Sequence, residues 1–535
     1  MSTTATVIAR LLSGAGIDRV FGLPGGEVLV LIDELRRAGV EFVLMRHEAN
    51  AGIAAAVYGK LRGQPGVVLS TLGPGAANLM LPLSSAYLDQ EPLLAISAQI
   101  PEEFPASHTH QRLPLHDVYR PLTKYAATLT TENVADEMPR ALAACMERPY
   151  GAAYVTLSAR EALKPATDRA PAAWDRAPAA DRSDASTAAA RTLVEKLSRA
   201  KRPLVVVGLA IDPANAPRLR AWLDAWNLPV AVTPKVKGIV DETAANFVGV
   251  AGGMAADDVV CGALQAADVL VGVGLDPVEV DKTWHAELAI EWVLEAPNVG
   301  GATGILPAGA TLVDHAVFLE AIGSAPPPAA WDAPFEEFQQ RRLRLLRARS
   351  GAGGVMWPGD IVEALAAALP ADTIVTTDVG SHKYLFGQYW PSRHPATFWM
   401  SNGLSGMAYG LSAAIGARLA RPDATVLAAI GDGGFSMNAQ ELESAERVGA
   451  PFITVVLEDG SYSLIKLSQE NKALPRYGVD FGRIDTVVMA ASCGVEALRT
   501  TNPDELAAVA ARAATARRSL VVAVPVDYAD YRRMF

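Results

Sequence analysis

The sequence predicts an α/β protein of three doubly wound domains with parallel sheets, and three observations support this prediction. Short apolar runs alternate along the chain with longer segments of helical periodicity, which is the pattern of repeated strand–helix–strand units. The runs are apolar throughout rather than at every second residue, as in strands buried on both faces. At 535 residues the chain is also too long for one hydrophobic core, and the usual domain size indicates three domains.

Composition excludes several classes of protein. A net charge of -11 argues against binding to nucleic acid or to an anionic membrane, because both need a basic surface. The sequence has no apolar run of the roughly 18 residues that a membrane span needs, and its first residues lack the order of a signal peptide, so we expect a cytoplasmic protein. Cys145, Cys261 and Cys493 lie far apart in sequence, which indicates reduced thiols rather than a metal site.

The first predicted domain covers residues 1–163. It opens with a helix over residues 5–12, and a glycine-rich loop lies at 22–26. The expected strands are 19–21, 42–44, 66–71, 92–96 and 153–157. Glu48 lies where the second strand gives way to an alanine-rich helix, a position at which ligands gather in open α/β sheets. An acid that only complements the helix dipole is the alternative interpretation.

The middle of the chain carries less chemistry. Residues 164–186 are rich in Ala, Pro, Asp and Arg and are predicted to be a linker to a second domain over 187–323. Strands are expected at 202–208, 228–232 and 269–274. Gly-Val-Gly at 272–274 is a fragment of a dinucleotide fingerprint without its third glycine, and a strand end is the better interpretation. This domain shows no convincing acid, base or metal constellation.

The third predicted domain, residues 353–535, contains two acidic turns. An apolar strand over 425–430 ends in Gly-Asp-Gly-Gly, with helix-forming residues from Ala439, and a second strand over 452–457 ends in Glu-Asp-Gly. Neighbouring strands would bring Asp432 and Asp459 to one sheet edge, where two carboxylates suit a divalent cation bridging phosphate oxygens. Two ordinary strand-to-helix turns with Asp as N-cap are the alternative.

Together these motifs resemble those of the thiamine diphosphate enzymes. The resemblance rests on Gly-Asp-Gly at 431–433 with its distant second acid, Arg-His-Glu-Ala-Asn-Ala at 46–51 and Gly-Pro-Gly at 73–75. Met-Asn-Ala-Gln-Glu-Leu at 437–442 is similar to the acetolactate synthases, and the chain resembles most their catabolic, flavin-free branch. The resemblance covers nearly the whole chain. It departs at Glu458-Asp459, where most relatives have Asn-Asn.

The resemblance implies how the cofactor is held. Magnesium would take Asp432, Asp459 and the backbone carbonyl of Ser461, and Met407 would prop the cofactor into a bent shape. A strand over residues 373–377 ends at a turn that would donate hydrogen bonds to the diphosphate. The implied cofactor-binding residues are Gly25, Gly380, Ser381, His382, Ser405, Met407, Gly433, Gly434 and Leu464.

The resemblance also implies the reacting groups. Glu48 would hydrogen-bond a pyrimidine ring nitrogen of the cofactor, and His110 and Gln111 would line the substrate site. A metal site at His108 and His110 is the alternative, but no third ligand is indicated. Ser468 stands where biosynthetic relatives have Trp and catabolic ones Gln, which is a departure from the family's pattern in the segment expected over the reacting end of the cofactor.

The implied function is decarboxylation of a 2-keto acid, with pyruvate as the first candidate, followed by joining of the remaining unit to a second carbonyl compound. A lyase or decarboxylase acting on another 2-keto acid or an acyl-CoA is the alternative, and an inactive homologue with a binding role is a more distant one. The expected cofactors are thiamine diphosphate and Mg²⁺, without FAD. The expected assembly is a homodimer or homotetramer, because the family pairs the Glu of one subunit with the diphosphate domain of another.

Overall fold

Three parallel sheets organise the protein. The computed structural model describes residues 2–166, 182–279, 288–297, 304–327, 335–347, 355–482 and 484–534. Each sheet has six strands in this part of the chain, and helices connect them. The predicted fold class, three doubly wound α/β domains, is confirmed. No helix of the described ranges combines the length and apolarity that crossing a membrane requires.

The first sheet has the strand order β2-β1-β3-β4-β6-β5. Its strands are β1 (Arg19–Gly22), β2 (Glu41–Leu44), β3 (Gly66–Ser70), β4 (Leu93–Gln99), β5 (Tyr125–Leu129) and β6 (Ala152–Ser158). Its helices are α1 (Thr4–Gly14), α2 (Leu29–Arg37), α3 (Glu48–Arg62), α4 (Pro74–Ala77), α5 (Met80–Leu88), α6 (Leu115–Tyr119), α7 (Val134–Met146) and α8 (Ala159–Leu163). The order reverses between β1 and β3, which places the ligand-binding crevice at their carboxyl ends.

The second sheet has the order β12-β11-β10-β7-β8-β9, which is that of dinucleotide-binding folds. Its strands are β7 (Pro203–Val207), β8 (Val230–Val232), β9 (Phe247–Val250), β10 (Val269–Val273), β11 (Ile290–Leu294) and β12 (Thr311–Leu312). Its helices are α9 (Ser183–Leu197), α10 (Ala216–Trp226), α11 (Asp257–Ala266), α12 (His315–Gly323) and α13 (Phe335–Arg347).

The third sheet, with the order β14-β13-β15-β16-β18-β17, repeats the topology of the first. Its strands are β13 (Ile374–Thr377), β14 (Phe398–Met400), β15 (Val426–Gly431), β16 (Ile453–Glu458), β17 (Glu496–Arg499) and β18 (Leu520–Pro525). Its helices are α14 (Pro358–Ala368), α15 (Ser381–Tyr389), α16 (Tyr409–Ala420), α17 (Asp432–Asn438), α18 (Glu441–Arg447), α19 (Ser463–Asn471), α20 (Thr486–Ser492) and α21 (Pro503–Ala516).

Two local predictions are wrong. The predicted linker over 164–186 already contains the start of α9 at Ser183, because Ser186, Ala190 and Leu193 form a buried stripe whose small residues hide the helical pattern. The helix after the first acidic turn begins at Asp432 itself and not at Ala439, despite its two glycines. The predicted domain boundaries remain predictions, since much of the chain between the domains lies outside the described residues.

The first and third domains pack tightly through α3 and α16. A Cβ atom at Gly416 would overlap the carbonyl oxygen of Ala54, so glycine is needed for the two helices to approach this closely. The fully buried Glu441 adds a polar link, accepting hydrogen bonds from the backbone N–H of Arg46 at 3.1 Å and from Asn50 Nδ2 at 2.9 Å. The start of α3 is therefore fixed to the third domain of its own chain.

We expect Gly416→Ala to lower the denaturation midpoint, because a methyl group forced into this contact should cost about 1–3 kcal/mol. Gly14→Ala is the matched control, since a Cβ there meets no atom of the described residues within 4 Å. The control should be neutral or stabilise by up to about 1 kcal/mol through a less flexible unfolded chain. Urea denaturation followed by circular dichroism measures both, and equal midpoints for the two variants would contradict the close α3–α16 contact.

Candidate cofactor and active site

Asp432 ties two loops together at the edge of the third sheet. It is the first residue of α17, directly after β15, and its Oδ1 accepts a hydrogen bond from Gly433 N at 2.8 Å. Its Oδ2 accepts one from Gly460 N, also at 2.8 Å, in the loop after β16. Burial, and then the nearby charge of Asp459, raise the pKa of Asp432 to about 7. Two carboxylates in such surroundings favour a bound cation.

Asp459 lies at the same edge, after the neighbouring strand β16. Its Oδ1 accepts hydrogen bonds from the N–H and the hydroxyl of Ser461, at 3.0 and 3.1 Å, and burial raises its pKa. The adjacent Glu458 is instead paired with Arg499 at 2.9 Å, so it does not join the pair. Within the described ranges no three His, Cys, Asp or Glu side chains form a metal cluster. The edge therefore offers two carboxylates, as the spacing predicts, and further ligands would come from backbone or cofactor oxygens.

A third buried carboxylate, Asp378, organises the surroundings of this pair. It follows β13 and accepts hydrogen bonds from Val379 N at 2.8 Å, Ala408 N at 2.9 Å and Tyr409 N at 3.2 Å. Burial raises its pKa to about 6. A side chain at Gly434 would overlap its Oδ2, so this glycine is required by packing against Asp378. The sequence patterns mark Asp378 only as part of a turn and miss this role.

The turn before α15 carries a buried histidine with an unused nitrogen. Gly380 is the N-cap of α15 with φ 152°, and Ser381 Oγ lies 3.0 Å from Ser463 Oγ. The ring of His382 packs against Gly431, where an added Cβ would lie 3.0 Å from its Cε1. Its Nε2 has no hydrogen-bond partner among the described residues, and burial lowers its pKa to about 3. A buried ring nitrogen without a partner, beside a helix N-terminus and two glycines, suits a phosphate-bearing ligand.

The segment between β14 and α16 is strained and is held by hydrogen bonds to the first domain. Ser405 and Ala408 have φ of 54° and 65°, in the left-handed region. Asp89 of the first domain accepts hydrogen bonds from Asn402 N at 3.2 Å and Gly403 N at 2.8 Å. The partly buried Met407, in the same segment, lies beside Gly433, where an added Cβ would lie 3.7 Å from Cε of Met407 and 3.0 Å from Cε1 of Tyr462. Backbone strain that is maintained by contacts with another domain is typical of ligand sites.

Glu48 begins α3 and is 7% exposed. Its Oε2 accepts a hydrogen bond from Asn78 Nδ2 at 2.9 Å, and the backbone at Gly75 comes so close that an added Cβ would lie 3.1 Å from Oε1. His47 caps the helix, its Nδ1 accepting from Ala49 N at 3.1 Å. Because His47 caps the helix, the carboxylate of Glu48 is not needed as a cap. It contacts the segment that contains Gly75 and Asn78 instead.

The other predicted site residues differ in their surroundings. Gln111, with φ 56°, covers Gly73, where an added Cβ would lie 3.0 Å from its Cβ. His110 is exposed in the same loop, and its described contacts do not reach Glu48. A Cβ at Gly25 would collide with Thr71, whose hydroxyl donates to Glu27 at 2.6 Å. Leu464 is partly buried in the first turn of α19, just beyond the second aspartate.

Glu48 and the aspartate pair form separate groups. In the part of the chain that the structure describes, no hydrogen bond or ion pair joins Glu48 to Asp432, Asp459 or Ser461. Each group lies at the carboxyl edge of its own sheet, with glycines where another molecule could come close. The arrangement can bind a phosphorylated, metal-bridged ligand at one edge and a protonatable group at the other.

Comparison with known proteins gives a consistent result for all three domains. Residues 2–118 match the family model of the thiamine pyrophosphate enzyme N-terminal TPP binding domain, residues 190–292 the central domain, and residues 378–524 the C-terminal TPP binding domain. Thiamine pyrophosphate is another name for thiamine diphosphate.

Among curated proteins, an acetolactate synthase of Bacillus subtilis is 32% identical, over 98% of this chain and 93% of its own length. The catabolic acetolactate synthase of Raoultella terrigena is 28% identical, over 98% and 95%. The acetolactate synthase isozyme 2 large subunit of Escherichia coli is 28% identical, over 94% and 91%. The three domains, their order and this full-length similarity lead to one conclusion: the chain belongs to the acetolactate synthase family of thiamine diphosphate-dependent enzymes.

Proposed function

We propose that this protein is an acetolactate synthase-like carboligase of the catabolic type, which removes carbon dioxide from pyruvate and joins the remaining unit to a second pyruvate. The observation that carries the proposal is the pair of groups at two sheet edges, a two-aspartate edge and a buried glutamate at a helix start. The names of the relatives point to the same activity. The presence of both groups argues against an inactive binding homologue.

The described residues fit thiamine diphosphate and magnesium. Asp432, Asp459 and the carbonyl of Ser461 would hold the metal ion, because hard divalent cations take oxygen ligands. Gly380, Ser381, His382, Gly433 and Gly434 would hold the diphosphate, and the partnerless Nε2 of His382 is the observation that supports this fit. The sulfur-bearing side chain of Met407, beside Gly433, would support the cofactor between its two ends.

The chain's own side chains would perform the remaining tasks. When bound, thiamine diphosphate supplies a carbon nucleophile and accepts the electron pair released as carbon dioxide leaves. Glu48 would hold a proton at the cofactor's pyrimidine nitrogen, with Asn78 fixing the orientation of its carboxylate. Gln111, on the loop over Gly73, and Gly25 would border the same pocket, and His110 would approach the substrate only if its exposed loop is covered.

We further propose that the protein uses no FAD. The crevice at the switch point of the second sheet, where a dinucleotide would lie, is bridged by its own loops. Ala210 N donates to Gly274 O at 2.8 Å, and Leu209 N donates to Glu279 Oε2 at 2.7 Å. These hydrogen bonds hold together the two loops that border the crevice.

We propose a homodimer as the smallest active assembly, with a homotetramer as the alternative. Among the described residues, no hydrogen bond or ion pair joins Glu48 to the aspartate pair of its own chain, so the aspartate pair that faces Glu48 would come from a second subunit. Large apolar side chains near the aspartate pair also remain exposed, including Met437 at 47%, Ile465 at 53% and Tyr477 at 85%. A partner subunit would bury them. The three cysteines are free thiols, which is compatible with a reducing compartment such as the cytoplasm.

A different donor or acceptor is the second candidate. Ser468, in α19, is partly buried and is smaller than the Trp or Gln of the relatives. A small side chain there would leave room for a larger 2-keto acid or for an acyl-CoA.

Product analysis tests the activity. With magnesium, thiamine diphosphate and pyruvate, we expect the protein to release carbon dioxide and acetolactate in equal amounts. Carbon dioxide with acetaldehyde would indicate a simple decarboxylase. Turnover of a larger 2-keto acid in preference to pyruvate would support the alternative substrate, and no turnover of any 2-keto acid would refute both.

Glu48→Gln should abolish proton exchange at the reactive carbon of bound thiamine diphosphate, because an amide cannot exchange the proton that the carboxyl group holds. We expect the exchange rate, measured by NMR after acid quench, to fall by more than about 100-fold, within the range of general acid–base contributions. Glu41→Gln, at a surface ion pair with Arg19, is the control and should exchange normally. Normal exchange in Glu48→Gln would remove this residue from the mechanism.

Mixing two inactive variants tests the shared site. Subunits carrying Glu48→Gln and subunits carrying Asp432→Asn should be inactive alone. A mixed dimer would contain one site with both groups intact, so random mixing should restore about a quarter of wild-type activity. No recovery after verified subunit exchange would show that each site is built within one chain.

A further inference from the structure

All three domains border one cavity that the proposed function does not use. Its volume is about 440 Å³, which is within the usual range for small-molecule pockets. Its walls include Lys60 and Arg62 from the first domain, Ile211 and Lys235 from the second, and Trp399 and Arg421 from the third. It lies beyond the carboxyl ends of β7 and β8 and at the last turn of α3, whereas Glu48 lies at the first turn of that helix.

The polar part of this junction cavity is mainly basic. Lys60, Arg62, Lys235 and Arg421 line it, against one lining carboxylate, Asp212, which is ion-paired with Arg148. The charge of Lys235 is balanced by Glu91 at 2.9 Å and Asp89 at 3.6 Å. The other three cations are less well compensated, as their hydrogen bonds show.

Lys60 and Arg421 bind backbone carbonyls rather than carboxylates. Lys60 Nζ donates to Gln90 O at 3.1 Å and to Asp89 O at 3.4 Å, and Arg421 Nη2 donates to Leu61 O at 3.2 Å. Arg62 approaches Asp18 only at 4.0 Å. Burial, and then the charge of Lys235, lower the pKa of Lys60 to about 8, even though Glu91 and Asp89 act in the opposite direction. An anion in the cavity would stabilise its ammonium form.

The rest of the cavity wall is largely apolar and includes the aromatic ring of Trp399. Trp399 and Phe398 both line the cavity and are buried, although as neighbours on β14 they pack into different parts of the core, and Leu209, Ile211 and Ile239 contribute from the second domain. Lys60 Nζ lies 6.0 Å from the centre of the Trp399 ring. An aromatic or branched apolar body would lie against this wall with its charged group towards the cations.

We propose that the junction cavity is a binding site for a small organic anion, a carboxylate or phosphate monoester with a flat apolar body. The charged group would lie between Lys60, Arg62 and Arg421. Such a ligand would contact all three domains at once and would reach α3 at the end opposite Glu48. Because α3 is buried along nearly its whole length, it is a rigid connection between this site and the proposed active site.

Pyridoxal 5′-phosphate is a suitable probe, since it has a flat ring, a phosphate and an aldehyde. The Lys60 amine would condense with the aldehyde to an imine, releasing water, and borohydride would then reduce the imine to a stable secondary amine. Near neutral pH a lysine of pKa about 8 has on the order of 100-fold more free amine than an ordinary one. The experiment uses the full chain preloaded with magnesium and thiamine diphosphate, so that the aspartate edge is already filled, with peptide mapping by mass spectrometry.

We expect Lys60 to be modified at least about tenfold faster than the surface residue Lys196, in a saturable way. Pyridoxine 5′-phosphate, which lacks the aldehyde, should protect it. Arg421→Gln should slow the modification about tenfold through loss of a charged hydrogen bond. Lys196→Met should leave it unchanged.

Three results would overturn the proposal: Lys60 modified no faster than Lys196, equal modification by pyridoxal without its phosphate, or wild-type rates in both Arg421→Gln and Arg62→Gln. The equal rate with pyridoxal would mean a merely reactive lysine without an anion site. Circular dichroism of the Arg variants, whose side chains reach the surface, establishes that they are folded. Because the readout is modification of Lys60 and not turnover, failure here leaves the proposed carboligase function untouched, and the reverse also holds.

Discussion

The hydrogen bonds to the buried carboxylate of Asp378 are the constraint on which the cofactor domain depends. Removing a carboxylate from water is costly unless its oxygens are hydrogen-bonded, and here three backbone N–H groups bind it. Two of them belong to Ala408 and Tyr409, so the strained segment before α16 is fixed to the end of β13. Gly434 packs directly against Oδ2 of Asp378, and this contact sets the position of α17, the helix that begins with Asp432. The position of Asp432 thus depends on a residue that need not touch a ligand.

The first and third domains share one topology, although the first carries Glu48 and the third carries the aspartate pair. The strand order reverses between β1 and β3 in the first sheet and between β13 and β15 in the third, which are equivalent positions. Helices α3 and α16 are also equivalent, since they follow β2 and β14. These two helices pack on each other at Gly416, so the first and third sheets of one chain are joined through equivalent helices. The edges that carry Glu48 and Asp432 are therefore fixed relative to each other, although the described residues show no hydrogen bond or ion pair between the two side chains.

The fold class and the family could be predicted from the sequence because both depend on local patterns. An apolar run followed by Gly-Asp-Gly is readable wherever it occurs, and it correctly places Asp432 after a buried strand. Strands β5, β9, β11, β12, β14, β17 and β18 were not predicted. Five of these seven lie at the edge of a sheet, where short strands need less apolar sequence, whereas β11 and β18 are interior strands. Asp378 was missed because two of its three partners are backbone N–H groups some thirty residues away. The junction cavity depends on residues from three domains, so no local pattern could reveal it.

The buried Glu441 has a consequence for how two subunits would load their cofactors. It binds the start of α3 and stands in the helix immediately after α17, which begins with Asp432. Glu441 thus connects Glu48 at the start of α3 to Asp432 at the start of α17 within one chain. In a dimer with shared sites, Glu48 and Asp432 of one chain would contact different cofactor molecules. Tightening one sheet edge around a metal-bound diphosphate would move the glutamate that faces the other site. The two cofactors would then bind cooperatively, through a coupling inside each subunit rather than across the interface.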